Sequence, residues 1–360
     1  MKTNTVLTNI VKNLAFSLVA VASFTGFAQE EEEEKKFSLS GSVDAYYRAN
    51  LTDEQNQAPV SSFANRPGFA LGMANLIASY DSGDVGFVAD LVFGPRGEEA
   101  VFLSPFGSSN IVNQLYVYWN VTENTKLTFG NFNTFLGYEV ISPTGNFNYS
   151  TSYMFSYGPF SHAGLKADFT LDDDWSLMLG VFNPTDLTDG NFAGVYNYGV
   201  QLGYQGIYLN AIYGKLAAPD FVNGGTLVSS EPTFQIDLTA GFDLSEDFYL
   251  GVNSTYNDTD GSGFYGVALY PQLKTSEDFT IGLRAEYFAE FDGAGIINTD
   301  ADGDGNIFAA TLTGSYTKGD LTIKPEIRFD SASEETFIDS DGLPTEKGLG
   351  SFLLAAIYSF

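Results

Sequence analysis

The chain has 360 residues and is strongly acidic, with 45 Asp and Glu against 16 Lys and Arg, for a formal net charge of −29. That balance excludes nucleic acid as a partner, since its phosphates recruit basic surfaces. With no Cys and a single His, the sequence also excludes disulfides, thiol chemistry and the usual soft-metal sites.

The first segment reads as an export signal. Lys2 and Lys12 precede the apolar run Leu14–Phe27, too short for a spanning helix. Small residues at Gly26 and Ala28 place the expected cleavage after Ala28. Residues 1–28 are therefore expected to be removed, residues 29–36 to form an acidic lead, and residues 37–360 to form one domain. No later apolar run is long enough for a membrane helix, so any span must be built from strands.

Residues 37–50 alternate strictly. Phe37, Leu39, Val43 and Ala45 fall on one side, and Ser38, Ser40, Ser42, Asp44 and Arg48 on the other. Period 2 over this length predicts a strand of about 10 residues or more, enough to cross a bilayer at a tilt. Similar patterns recur near 68–80, 85–93, 110–121, 125–135, 161–171, 175–182, 195–204 and 207–214. They continue near 231–244, 248–257, 262–274, 279–291, 306–316, 321–330 and 348–360. The expected fold is an all-β, antiparallel up-and-down transmembrane barrel of about 16 strands, within a range of 14 to 18.

The connections support this. Short turns such as 81–84, 122–125, 172–174 and 205–206 alternate with long ones: 51–67, 94–109, 136–160, 183–194, 215–230, 292–305 and 331–347, with 258–261 as the exception. Short periplasmic turns and long outer loops are the mark of an outer-membrane barrel, and they put both chain ends at the periplasmic rim. The last stretch ends on Phe360, with Phe352, Leu354, Ala356 and Tyr358 in the same phase. A terminal strand of this kind must pair with the first, because the bilayer tolerates no open edge. Tyr358 and Phe360 resemble the assembly signal of such barrels, which would make the insertion machinery a partner.

In the later strands charge is confined to one phase. Arg284, Glu286 and Glu290 share a face in 279–291, as do Lys324, Glu326 and Arg328 in 321–330. Toward lipid at mid-membrane an Arg or Lys would cost about 2–4 kcal/mol, so this face is assigned to the lumen. Asp44, Arg48, Lys166 and Asp168 fall on the lumen phase as well. Charges of both signs predict a water-filled lumen, and the excess of acids predicts a preference for cations. Loop 136–160, rich in aromatic, Asn and Ser residues, is expected to fold inward as a constriction with Tyr138 and Glu139 near its narrow point.

Other chemistry is thin. Asp300, Asp302 and Asp304 with Gly305 match the opening of a calcium loop, but Thr311 stands where the closing Glu belongs. Calcium there is the one cofactor candidate. His162 follows Ser161 directly, and neighbours on a strand point to opposite faces, so the two cannot pair and no enzyme is expected.

Three segments carry a resemblance: Lys126-Leu-Thr-Phe-Gly-Asn-Phe-Asn-Thr-Phe-Leu-Gly-Tyr-Glu-Val140, Asn146-Phe-Asn-Tyr-Ser150 and Tyr157-Gly-Pro-Phe-Ser-His-Ala-Gly164. Together with Gly41-Ser-Val-Asp-Ala-Tyr-Tyr47 they resemble the putative β-barrel porin-2 (OmpL-like) family of Gram-negative outer membranes. Asn131 departs from the family's Gly-Lys-Phe pattern. The resemblance implies an outer-membrane porin for passive diffusion of small hydrophilic solutes or ions, in contact with lipid and lipopolysaccharide. The alternative is a non-conducting, surface-binding or structural barrel whose acidic loops hold a partner, a polysaccharide or divalent cations.

Overall fold

The computed structural model describes residues 36–52, 61–101, 107–191, 194–220, 226–339 and 341–360. The expected export signal and residues 29–35 of the acidic lead lie outside them. The barrel strands are β1 (Lys36–Asn50), β2 (Gly68–Ser82), β3 (Val85–Phe93), β4 (Val112–Thr122), β5 (Thr125–Asn133), β6 (Ser161–Thr170), β7 (Trp175–Phe182) and β8 (Asn197–Tyr204). They continue with β9 (Ile207–Asp220), β10 (Thr226–Asp243), β11 (Phe248–Thr259), β12 (Ser262–Lys274), β13 (Phe279–Phe291), β14 (Gly305–Lys318) and β15 (Leu321–Ala332). A small hairpin, β16 (Phe337–Ile338) with β17 (Pro344–Glu346), sits in the last long loop before β18 (Gly348–Ser359) closes the barrel. Each barrel strand pairs antiparallel with its neighbours in sequence, and β18 returns to β1, giving a closed barrel of sixteen strands.

The alternation explains which way each strand faces. Phe69, Leu71, Val117, Phe129, Tyr198, Tyr213, Phe308 and Tyr358 all point outward and are exposed. Water would not tolerate so continuous an apolar band, whereas lipid covers it. Closure is tight. Gly41 and Phe360 exchange both backbone hydrogen bonds at 3.0 Å. A Cβ on Gly41 would stand 2.1 Å from the Asn75 carbonyl oxygen and 2.9 Å from the Phe360 ring, so only glycine fits there.

Five connections, 83–84, 123–124, 205–206, 260–261 and 319–320, are two-residue hairpins. Gln205-Gly206 and Asp260-Gly261 both take positive φ at both residues, the twist that suits a two-residue turn between strands. One expectation is corrected. Residues 215–230, read as a long loop, are largely strand, because β9 and β10 run on beyond the membrane-length pattern. The register shifts between Ser229 and Pro232, and the ladder resumes with Pro232 opposite Lys215.

Candidate functional site

The site is the inside of the barrel, and the element that shapes it is the connection 134–160 between β5 and β6. It leaves the wall at Asn133, crosses the lumen and returns at Ser161. A loop taken out of bulk water must find partners for its backbone N–H and C=O groups, and the wall supplies them.

On one side, the backbone N–H groups of Gly137 and Tyr138 donate to Asp237 of β10 and Asn253 of β11, each at 3.0 Å. The Tyr138 ring stacks on Tyr270 at 4.3 Å, and its hydroxyl meets that of Tyr249 at 2.9 Å. Glu139 forms an ion pair of 2.7 Å with Arg284 of β13, whose side chain is 0% exposed. Its other oxygen accepts the Ser152 N–H at 2.6 Å.

Farther along, two wall carboxylates each grip a pair of consecutive N–H groups. Glu286 accepts from Tyr153 and Met154 at 2.9 and 2.8 Å, and Glu326 from Tyr149 and Ser150 at 2.9 and 3.3 Å. Hydrogen bonds to an ionised acceptor are the stronger kind. Ser152 caps the short helix Tyr153–Tyr157 by accepting the Phe155 N–H, which aims the first turn at Glu286. Lys324 donates to the carbonyls of Pro143 and Asn146, and Arg328 to that of Thr151. On the far wall Tyr149 donates its hydroxyl to Asp44 of β1. Arg96, from the short helix Pro95–Ala100, donates to the carbonyls of Ile141 (2.7 Å) and Tyr149 (3.1 Å).

The wall is also shaped to receive the loop. Five inward glycines face loop side chains: Gly72 against Tyr149, Gly199 against Phe135, Gly251 against Tyr138, Gly266 against Met154 and Gly282 against Phe147. An added Cβ would come between 2.2 Å (Gly251 to Tyr138) and 2.7 Å (Gly266 to Met154) from these side chains. Real Cβ atoms do not approach so closely, so each glycine is a socket.

This changes the expected picture of the lumen. Every barrel strand places a buried side chain on the interior, among them Asp44, Asp90, Asn210, Asp237, Arg284 and Ala355. The charged residues read as lining an open water column are, across this belt, buried against the loop or against one another. The reason is local pairing. Loop N–H groups, hydroxyls and guanidinium groups replace the water that ionised carboxylates would otherwise require.

The expected site residues do not all meet. Asp44, Tyr138, Glu139, Arg284, Glu286, Lys324, Glu326 and Arg328 are brought together by the loop. Arg48 lies nearby but donates to the Asn65 carbonyl instead. Lys166 and Asp168 stand apart on β6, partly exposed and paired with each other at 3.0 Å. Glu290 serves a different loop, accepting the N–H groups of Ile296 and Ile297 at 2.8 and 2.7 Å. Tyr358 and Phe360 project outward. Asp300 turns its carboxylate onto the N–H groups of Asp302 and Asp304, and no group of three or more metal-ligating side chains is gathered among the described residues. His162 is fully buried between the rings of Phe135 and Phe182, at 5.1 and 4.9 Å.

Arg96 and the glycine sockets were not legible from pattern alone. A sequence signal for the sockets did exist: glycines in the lumen phase of long strands, where a barrel facing only water has no need of them.

The family described as "Putative beta-barrel porin-2, OmpL-like" matches residues 36–360. The chain belongs to this family. No curated protein matches it in sequence. Among solved structures, this porin-2 family member is similar to the outer membrane channel DcaP of Acinetobacter baumannii, with 16% identity, TM-score 0.57 and coverage of 94% of this chain and 100% of that one. It is also similar to the trimer form of OmpT, an outer membrane protein of Vibrio cholerae (12% identity, TM-score 0.57, coverage 91% and 100%). An anion-selective porin from Comamonas acidovorans gives 11% identity, TM-score 0.56 and coverage of 91% and 100%. At these identities the likeness is one of fold. Family and fold together make the porin-2 member an outer-membrane barrel of Gram-negative type, with lipid against its outer face.

Proposed function

We propose that this porin-2 member is a channel for small hydrophilic solutes or ions whose passage is controlled by loop 134–160. One observation carries the reading: the loop is tied across the lumen by at least four acidic side chains of the wall, Asp44, Asp237, Glu286 and Glu326. A barrel needs no such arrangement merely to stand in a membrane, since its strand ladder and its lipid face already do that. Around the loop's seat the inner wall sets buried charged and polar side chains beside apolar clusters on which Leu136, Tyr149, Tyr153 and Met154 pack. We assign the short turns and both chain ends to the periplasmic rim, and the acidic long loops to the lipopolysaccharide side.

Planar-bilayer recordings test this. Wild-type protein is expected to give small or intermittent conductance, and a variant with residues 138–157 replaced by a short Gly-Ser linker a large, steady one. A replacement barrel that folds yet stays silent would sink the channel reading. The burial of inward side chains on every strand favours a second reading, a barrel permanently closed by its loop. A silent wild type beside a conducting replacement variant would select it.

A further inference from the structure

The two ends of loop 134–160 meet at the head of β6, where a second connection grips them. The Thr134 N–H donates to the Phe160 carbonyl at 2.9 Å. The residues after β7 extend its pairing with β6: the Asn183 N–H donates to the Ala163 carbonyl at 2.8 Å, and the Asp186 N–H to that of Ser161 at 3.1 Å. Asp186 stands in the left-handed region at φ 63°, and its Oδ1 accepts the N–H groups of Phe160 and Ser161 at 2.7 and 2.8 Å. Glu286 and Glu326 hold the loop's seat in the same way; Asp186 holds its exit.

Phe160 links this grip to the seat. Its ring stacks on Phe155 at 5.0 Å and meets Phe63 at 5.6 Å, within a buried apolar cluster. Phe155 belongs to the short helix whose first N–H groups, those of Tyr153 and Met154, dock on Glu286.

Unlike Glu139, Asp186 has no Lys or Arg within ion-pair distance among the described residues. The elements around it bring few other titratable groups. They are His162 between its two rings, Lys166 lower on β6 and paired with Asp168, Tyr157 turned toward Phe288, and Asp189 on the same connection; β7 carries none. Withdrawal from water, opposed only by the two N–H donors, pushes Asp186 up to about 7. Making the grip therefore takes up a proton. The protonated carboxyl keeps a carbonyl oxygen for both N–H groups and sheds the charge that burial penalises. The grip is fully strong below the free carboxyl's value of 3.8, weakens as pH rises toward 7, and is weakest above it.

We propose that Asp186 is an acid-strengthened clasp on the controlling loop: neutral, it holds Phe160 and Ser161 firmly, and ionised, it loosens them. The inference deepens the channel reading and rests on loop 134–160 being the element that controls passage.

Hydrogen exchange of the full barrel in detergent tests it, read as protection factors so that the intrinsic pH dependence of exchange is removed. The Phe160 and Ser161 amides should be about tenfold or more better protected at pH 5 than at pH 8. Asp186→Asn, which keeps the acceptor and never ionises, should be as protected at pH 8 as wild type is at pH 5. Asp186→Ala, which lacks the acceptor, should lose protection at both. Protection in wild type that does not vary with pH, or a variation that survives in Asp186→Asn, overturns the clasp, as does full protection in Asp186→Ala. Planar-bilayer conductance should fall from pH 8 to pH 5 in wild type and stay constant in Asp186→Asn. Protection that varies with pH in a barrel that never conducts upholds the clasp and counts against the channel reading. A conducting barrel with pH-independent protection overturns the clasp alone.

Discussion

The ion pair of Glu139 and Arg284 joins residues 145 positions apart and lies out of reach of solvent. Removing one partner of such a pair leaves a bare charge, at a cost on the order of 3–5 kcal/mol. Glu139→Ala is therefore expected to weaken loop docking by about that amount. Hydrogen exchange at the amides of Tyr153 and Met154 should accelerate while the β13 amides keep their protection; unchanged loop protection would refute the anchoring role. The neighbours Gly282 and Leu283 make a sharper comparison, because alternation sends one into the lumen and the other to lipid. Leu283→Arg should cost about 2–4 kcal/mol in bilayer refolding titrations. Gly282→Arg acts on the loop instead. A side chain at Gly282 strikes the Phe147 ring, already 2.4 Å from a bare Cβ, so it should unseat the loop and raise conductance rather than block an open bore. A fall in conductance would restore the open-bore picture.

Among the elements, β18 and the loop depend on different physics. β18 is held by ladder bonds to β1 and β15 and by an outward apolar face ending on Phe360. The backbone bonds of Phe360 to Gly41 complete the seam, so Phe360→Asp should lower the yield of heat-modifiable barrel in cells more than a substitution at an exposed loop tip such as Asp341. Normal yield from Phe360→Asp would show that the seam closes without it. β18 was legible from the sequence because its period and its faces are local properties. The inward fold of 134–160 could be suspected from its length and aromatic content. Its seat could not, because the acids that receive its N–H and hydroxyl groups lie on β1, β10, β13 and β15, at separations of 100 or more residues.

For the molecule as a whole, a net charge of −29 and an excess of acids in the lumen phase suggested cation preference at the constriction. The structure engages many of those acids with donors at the belt, which leaves the rims and the exposed turns as the main source of selectivity. Such charges act over a Debye length of about 10 Å at 0.1 M salt. Any cation preference should therefore be modest and fade as salt rises. Glu139→Lys should alter conductance through release of the loop more than it alters the reversal potential under a KCl gradient. A reversal potential that changes sign while conductance stays constant would put Glu139 back on an open path.

By itself the sequence determined that the chain builds a membrane barrel of about 16 strands, which face of its clearly alternating strands is apolar, and that the last strand closes on the first. Those features follow from a two-residue period and from the bilayer's demand that every backbone group be paired, and both act residue by residue along the chain. What fills the barrel was decided only by the tertiary structure. Alternation tells that Asp44, Glu286 and Glu326 point inward, but an inward carboxylate can meet water, a solute or a loop amide equally well on that evidence. Only the closed ring of strands brings loop 134–160 against its five glycines and its acidic partners, and that meeting turns a bore lined with charge into a seat occupied by the chain itself.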